Sequence, residues 1–252
     1  MTSAMTTRER EIIRYLADDD NVSVAELSRR LGVSEVTIRT NLNQLEAKGF
    51  IVRHKRGSAV PAFHQNILNR QKSMVEEKER IAKAAAELVE EGDHIMLVAG
   101  TTTASVAKYL LGKRDIHIVT NSTLVLPYVR VNPSIRVTLI GGEFRPSMEG
   151  MVGPLAVNEV KQFHVKYAFI GTDGFSTDGG VTAHHIEEAE MVKVVSNQTD
   201  KLVLTADSTK YGKRGFTLMF PLDRPDLLIS DKALSKGARK ELQEAGMEVM
   251  TV

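Results

Sequence analysis

The sequence predicts an α/β protein in two parts: a small helical module with a short β segment, then a larger module with the strand–helix alternation of a Rossmann-like sheet. Three observations predict it. Residues 6–48 repeat apolar side chains at three-to-four spacing with no strand pattern between them. From about residue 94 onward, apolar runs of strand length are separated by helical stretches, as in a largely parallel sheet covered on both faces. Between the two, from Pro61 to residue 76, lies a polar stretch that reads as a linker. The expected domains are 1–60 and 77–252, joined by 61–76.

In the first module, one helix carries Ile12, Ile13 and Leu16 on a single face, the next Leu27 and Leu31, and the third Ile38, Leu42 and Leu45. Leu31-Gly32-Val33-Ser34 supplies a tight turn, with Gly32 for backbone freedom and Ser34 as N-cap of the third helix. Gly49 stands where a helix-stopping glycine belongs. FIVRHKRGSAV (50–60) follows as a β segment with a basic turn. This is the grammar of a winged helix-turn-helix, with the motif at about 22–41. Beside Ser34, the third helix offers Glu35, Thr37, Arg39, Thr40, Asn43 and Gln44 away from its apolar stripe, and the wing offers Arg53, Lys55 and Arg56. Short polar side chains with cations suit base-edge and phosphate contacts in a major groove. Residues 25–60 hold seven Lys/Arg against three acids, whereas the whole chain holds 33 against 32. Positive charge is therefore local to this module. The plainer alternative is a helical interaction module with a solvated basic edge.

In the second module a long amphipathic helix (Ile81, Ala85, Leu88) comes first. Strands are expected at 94–99, 116–120, 135–140, 166–171, 201–205, 226–230 and 247–252, and helices at 102–111, 153–162, 186–198 and 233–245. Pro127 should delay or kink any helix within 123–131. Ligands of such sheets bind beyond the carboxyl ends of the strands. Four polar turns fall there: Gly100-Thr101-Thr102-Thr103, Asn121-Ser122, Gly141-Gly142-Glu143, and Gly171-Thr172-Asp173-Gly174. The first precedes a helix, so backbone N–H groups, hydroxyls and the helix dipole converge on one anion, a phosphate above all. The alternative there is a threonine N-cap that serves its own helix. Glu188 joins the candidates, as does Lys210, either as the cation that neutralises a phosphate or as a solvated side chain. His184 and Glu188 are four apart but complete no metal-site spacing, which leaves ligand hydrogen bonding or a helix cap. Met148, Met151 and Met191 read as packing.

The absence of cysteine excludes disulfides and thiolate metal sites. No apolar run approaches the length of a membrane span, and the charged N-terminus lacks a signal-peptide core. The expectation is a cytoplasmic protein with neither metal nor cofactor.

VSVAELSRRLGVSEVTIRTNLNQLEAKGFIVRHKRGSA resembles the DNA-binding head of the DeoR family of transcriptional regulators. IVTNSTLV, LIGGEFRPSMEGMVGPLA, AFIGTDGFSTDGGVT, EEAEMVK and LTADSTKYG resemble the family's sensor domain in the expected order, so the likeness spans nearly the whole chain. The resemblance implies a sensor similar in fold to ribose-5-phosphate isomerase. It also implies double-stranded operator DNA as partner, a phosphorylated sugar or polyol as effector, and a homo-oligomer, dimer or tetramer. The implied role is a repressor of a sugar or polyol catabolism operon. The chain departs from the family pattern at Thr40 and Asn41 of the third helix, at Val98 where relatives carry aspartate, and at Lys166. The alternative is an isomerase-like enzyme with an accessory DNA-binding head. Against it, the related isomerase carries a lysine just before a glycine run, and here Asp178 precedes Gly179-Gly180. Binding without turnover is expected, with no catalytic residue.

Overall fold

The structure is a computed structural model that describes residues 5–19, 22–48, 50–53, 59–61, 67 and 69–252. The chain divides into two compact units, Met1–Arg70 and Gln71–Val252. In the first, α1 (Thr7–Asp18), α2 (Val24–Leu31) and α3 (Glu35–Ala47) enclose Ile12, Leu16, Leu27, Ile38, Leu42 and Leu45. These are the residues that the helical period turned inward. Each helix starts on a side-chain cap: Thr6 in a capping box with Glu9, Ser23 accepting from Glu26 N–H, and Ser34 accepting from Thr37 N–H. Gly32 takes the left-handed conformation (φ 63°) that lets α2 turn into α3. The buried Glu9 carboxylate accepts from Lys48 Nζ at 2.7 Å, which ties α1 to the end of α3. That bond, followed by the Thr6 N–H, holds its pKa below the ordinary glutamate value. Strands β1 (Ile51–Arg53) and β2 (Ala59–Pro61) pair antiparallel with Val52 opposite Val60 and form the wing. Gly49, Lys55 and Arg56 lie outside the described residues.

One expectation needs correction. Residues 69–72, read from sequence as linker, are helical. Arg70, Gln71 and Lys72 are good helix formers, and polarity alone hid this.

The second unit is built on a seven-stranded parallel sheet. Its strands are β3 (His94–Leu97), β4 (Ile116–Thr120), β5 (Ile135–Leu139), β8 (Val165–Ile170), β11 (Thr199–Thr205), β13 (Leu227–Ser230) and β14 (Glu248–Thr251), in the order β14-β13-β11-β8-β3-β4-β5. All seven expected strands lie in it. Helices α4 (Val75–Glu87), α5 (Thr101–Tyr109) and α6 (Leu126–Val129) cover one face around Ile95, Leu97, Ile118 and Phe169. Helices α7 (Gly153–Val160), α8 (Ile186–Val195) and α9 (Lys236–Glu244) cover the other around Met96, Ala168, Ile170 and Leu202. The split follows the two-residue period of a strand, Ile95 and Leu97 to one face and Met96 to the other. α6 starts at Leu126 with Pro127 in its first turn, where a missing N–H leaves no helical bond unmade.

Five further strands escaped the sequence reading: β6 (Glu143–Arg145), β7 (Gly150–Val152), β9 (Gly174–Ser176), β10 (Gly180–Ala183) and β12 (Thr217–Phe220). They form a β6-β7 hairpin and a β12-β10-β9 antiparallel sheet. At three or four residues each they are too short to show a period. The parallel sheet grows outward from β3 in both directions, so its topological switch point lies between β3 and β8.

Candidate DNA-reading face and effector site

Helix α3 buries Ile38, Leu42 and Leu45 and turns Glu35, Arg39, Thr40, Asn43 and Gln44 outward, with Thr37 half-buried beside them. Ser34 is engaged as the N-cap. Arg39 reaches Glu35 at 3.5 Å, a loose exposed pair that a phosphate can displace. Thr40 Oγ1 donates to the Val36 carbonyl at 3.0 Å, so its methyl and remaining lone pairs face outward rather than its proton. Val36 is 73% exposed in the first turn of this helix. Sequence reasoning passed over it because apolar residues were assigned to the core. Its phase, two positions before buried Ile38, was the available signal. The backbone of Arg53 lies in β1.

Because the large sheet is parallel, the turns after β3, β4, β5, β8 and β11 share one edge. Gly100 precedes α5, and the first intrahelical bond runs from Ala104 N–H to the Gly100 carbonyl. The N–H groups of Thr101, Thr102 and Thr103 therefore have no helical acceptor and point out of the helix end. Thr101 and Thr102 are each 8% exposed, and among the described residues neither hydroxyl has a hydrogen-bond partner. Thr103 differs from expectation. Its hydroxyl points back, donating to the carbonyls of Val98 (2.6 Å) and Gly100 (2.9 Å), and is fully buried. It shapes the turn instead of offering a proton to a ligand. A Cβ on Gly100 would stand 2.9 Å from that hydroxyl, which is why glycine occupies the position.

Several other candidates are likewise turned inward. Asn121 Oδ1 accepts the Ala99 N–H at 2.8 Å and its Nδ2 donates to the Met151 carbonyl at 2.9 Å, so its amide staples β3, β4 and the hairpin together. Ser122 Oγ accepts from Leu124 N–H and donates to the Glu149 carbonyl. Gly141 N–H is held by Glu159 Oε2 at 2.6 Å, and the exposed Glu143 pairs with Arg145, itself bonded to Glu187. Gly142 has φ 143° and packs so closely that a Cβ would meet the Val152 carbonyl at 2.8 Å.

Across the switch point, Thr172 Oγ1 donates to the carbonyls of Gly174 and Thr182, where β9 begins opposite β10, and receives the Gly174 N–H. Asp173 Oδ2 accepts the His184 N–H at 2.8 Å. Gly174 lies against the Lys213 carbonyl, which leaves no room for a Cβ. Glu188 is buried in the first turn of α8, while His184 and His185 are exposed. Among the described residues no three His, Asp or Glu side chains gather as metal ligands. Lys210 closes the 3-10 turn after β11. Its neighbour Tyr211 has its phenol pushed up to about 12, by burial first and then by the bond to Glu241, so it stays a protonated donor at neutral pH.

Of the four positions where departure from the family pattern is expected, the two in the sensor separate cleanly. Val98 is buried among Met96, Val119 and Ala168. It fills core volume where a carboxylate would demand partners. Lys166 lies at the opposite edge of the sheet, at the start of β8, bonded to Glu90 (2.8 Å) and Asp93 (3.0 Å). It belongs to the structure and not to the crevice.

A second residue was passed over. Lys78, in the first turn of α4, is 7% exposed, in phase with buried Ile81, Ala82 and Ala85. A lysine on an apolar stripe was the signal.

Family models match both parts of the chain. A family model described as the DeoR C terminal sensor domain matches residues 73–232, and one described as a DeoR-like helix-turn-helix domain matches 8–62. The HTH-type transcriptional regulator GolR of Listeria innocua is 33% identical over 245 residues, 96% of each chain. The glycerol-3-phosphate regulon repressor of Escherichia coli (strain K12) is 30% identical over 228 residues, 90% of each chain. Ribose 5 phosphate isomerase A of Neisseria gonorrhoeae superimposes with a TM-score of 0.38 at 22% identity, over 54% of this chain and 53% of that one.

Proposed function

Because this chain belongs to the DeoR family of transcriptional regulators, we propose that it represses genes of sugar or polyol catabolism and is released from operator DNA by a phosphorylated small molecule. The DNA-binding head is residues 1–60 and the sensor 77–252, with the partly helical 61–76 between them. Operator bases meet the outward side of α3, and its phosphates meet Arg39 and the wing cations Arg53, Lys55 and Arg56. Repeated half-sites call for repeated heads, so the working form is a homo-oligomer.

The observation that carries the effector assignment is the start of α5 at the switch point. Three N–H groups without helical acceptors stand beside the hydroxyls of two buried residues, Thr101 and Thr102, which have no partner among the described residues. A phosphate satisfies all of them at once, with the helix dipole in its favour. Asp173, Glu188 and Lys210 surround the rest of the ligand, and glycerol 3-phosphate heads the compounds to try because one relative bears its name. The effector must bind the operator-incompetent arrangement more tightly for release to follow. No turnover of pentose or hexose phosphates is expected.

The test is a titration of phosphorylated sugars and polyols into the protein–operator complex. Thr102→Ala should leave operator affinity unchanged and raise the effector concentration for release about ten-fold, the worth of one charge-assisted hydrogen bond. Thr103 is avoided because its hydroxyl holds the turn. Release at wild-type effector concentrations would sink the assignment.

A further inference from the structure

The outer strands of the sensor's two larger sheets are not protected alike. An open strand edge offers its N–H and C=O groups to another chain, and proteins blunt such an edge with charge or cover it. In the seven-stranded sheet the outer strands each carry an exposed charge, Arg136 in β5 and Glu248 in β14. In the sheet β12-β10-β9, the outer side of β9 is closed by a bridge between Phe175 and Tyr211. β12 has neither device. It pairs antiparallel with β10, and among the described residues no strand lies on its other side. Residues 216–220 read Phe-Thr-Leu-Met-Phe, without a charge or a proline.

The same strand displays apolar surface. Phe216 is 79% exposed and Leu218 48%, whereas Met219 and Phe220 are buried. Two residues apart in an extended chain, Phe216 and Leu218 fall on one face. A groove of about 420 Å³ opens beside them, lined in part by Gly180, Thr182, Phe216, Leu218, Pro221 and Leu222. Charge flanks this apolar run unevenly: exposed Lys213 stands five residues before Leu218, and exposed Asp223 five residues after it. An antiparallel strand pair has twofold symmetry, so an edge strand can pair with its own copy. Pairing centred on Leu218 keeps the apolar residues of both copies on one face. It also carries the Lys213 end of each copy toward the Asp223 end of the other.

We propose that β12 is a self-association edge, through which two copies of this chain pair antiparallel about a twofold axis at Leu218. Phe216 of each copy packs against the Pro221 and Leu222 end of the other's groove, and Lys213 meets Asp223 at both ends of the paired strands. A second copy supplies the matching edge, the apolar face and the complementary charges together. Joining two sensors puts two DNA-binding heads into one assembly. The proposal rests on the reading that the working form is a homo-oligomer.

Sedimentation velocity of the full chain over a concentration series tests it. Phe216→Asp, at an exposed position that fills no core, should raise the dissociation constant of self-association about thirty-fold, the loss typical of one interface anchor. Leu218→Lys, which sets like charges against each other at the axis, should do the same. Lys213→Glu and Asp223→Lys should each weaken association a few-fold. Mixing those two charge variants should restore it, because each then meets its opposite on the other chain, an effect that no contact within one chain can produce. Wild-type association in Phe216→Asp and Leu218→Lys overturns the β12 edge and leaves the homo-oligomer reading standing on another surface. Weakened association without recovery on mixing overturns the antiparallel arrangement. A wild-type protein that stays monomeric, free and on operator DNA, overturns both readings and leaves the face to a different chain.

Discussion

The two recognition regions are built in opposite ways. On α3 the candidate side chains stand outward from a helix whose core residues are fixed by packing. Along the sheet edge most of the candidates turn inward: Asn121, Ser122, Thr103 and Thr172 all bond to backbone. A helix displays residues by phase, so its face can be read from spacing. A turn displays residues by the hydrogen bonds it needs, and polar side chains there are often consumed by the turn itself. The crevice is therefore a scaffold of many polar residues around a few that remain available, chiefly Thr101 and Thr102.

The largest effect that tests this contrast is expected at Asn121. Asn121→Ala leaves the buried Ala99 N–H and the half-buried Met151 carbonyl without their partner, which should destabilise the sensor by about 3 kcal/mol in urea unfolding followed by circular dichroism. A variant of wild-type stability that has lost effector binding would break the contrast and make Asn121 a ligand residue.

The same contrast explains what could be read from the sequence. The seven parallel strands were legible because buried strands are continuous apolar runs. The placement of the four polar turns on one edge followed once those strands were parallel. What the turns do individually was not legible, because the direction of Thr103 or Asn121 depends on carbonyls and amides that are remote in sequence, such as Met151 from Asn121. The five short antiparallel strands were missed for lack of length, and Lys78 was not singled out although it lies in phase with the buried Ile81 and Ala85. Val98 was singled out in the sequence, but only its burial shows that it belongs to the core.

A middle-sized effect separates the two regions electrostatically. Among the described residues the head has one buried ion pair, Glu9–Lys48, whereas the α5 turn is held by neutral hydrogen bonds. Glu9 has a lowered folded pKa, so its contribution is fully present above the ordinary glutamate value and is lost as pH falls through the folded one. Glu9→Gln should destabilise the head by about 2 kcal/mol at neutral pH, measured by chemical denaturation of the full chain. That difference from wild type should shrink steadily on acidification below about pH 4. A gap that is independent of pH would assign the effect to packing rather than charge.

The smallest effect sharpens the contrast at the α3 face, at the residue the sequence reading passed over. Val36 has no core to fill at 73% exposure, and Thr40 one turn on presents its methyl because its hydroxyl is bonded to the Val36 carbonyl. Two apolar groups on an otherwise polar surface fit the C5 methyl of thymine in a major groove. Val36→Ala should lower operator affinity by about 1 kcal/mol, roughly five-fold, without changing the salt dependence, since no phosphate contact is lost. Replacing the contacted thymine with uracil should cause the same loss, and combining the two changes should add nothing further. Additive losses would mean that Val36 and the methyl act apart. In that case the α3 face would read bases only through its polar side chains.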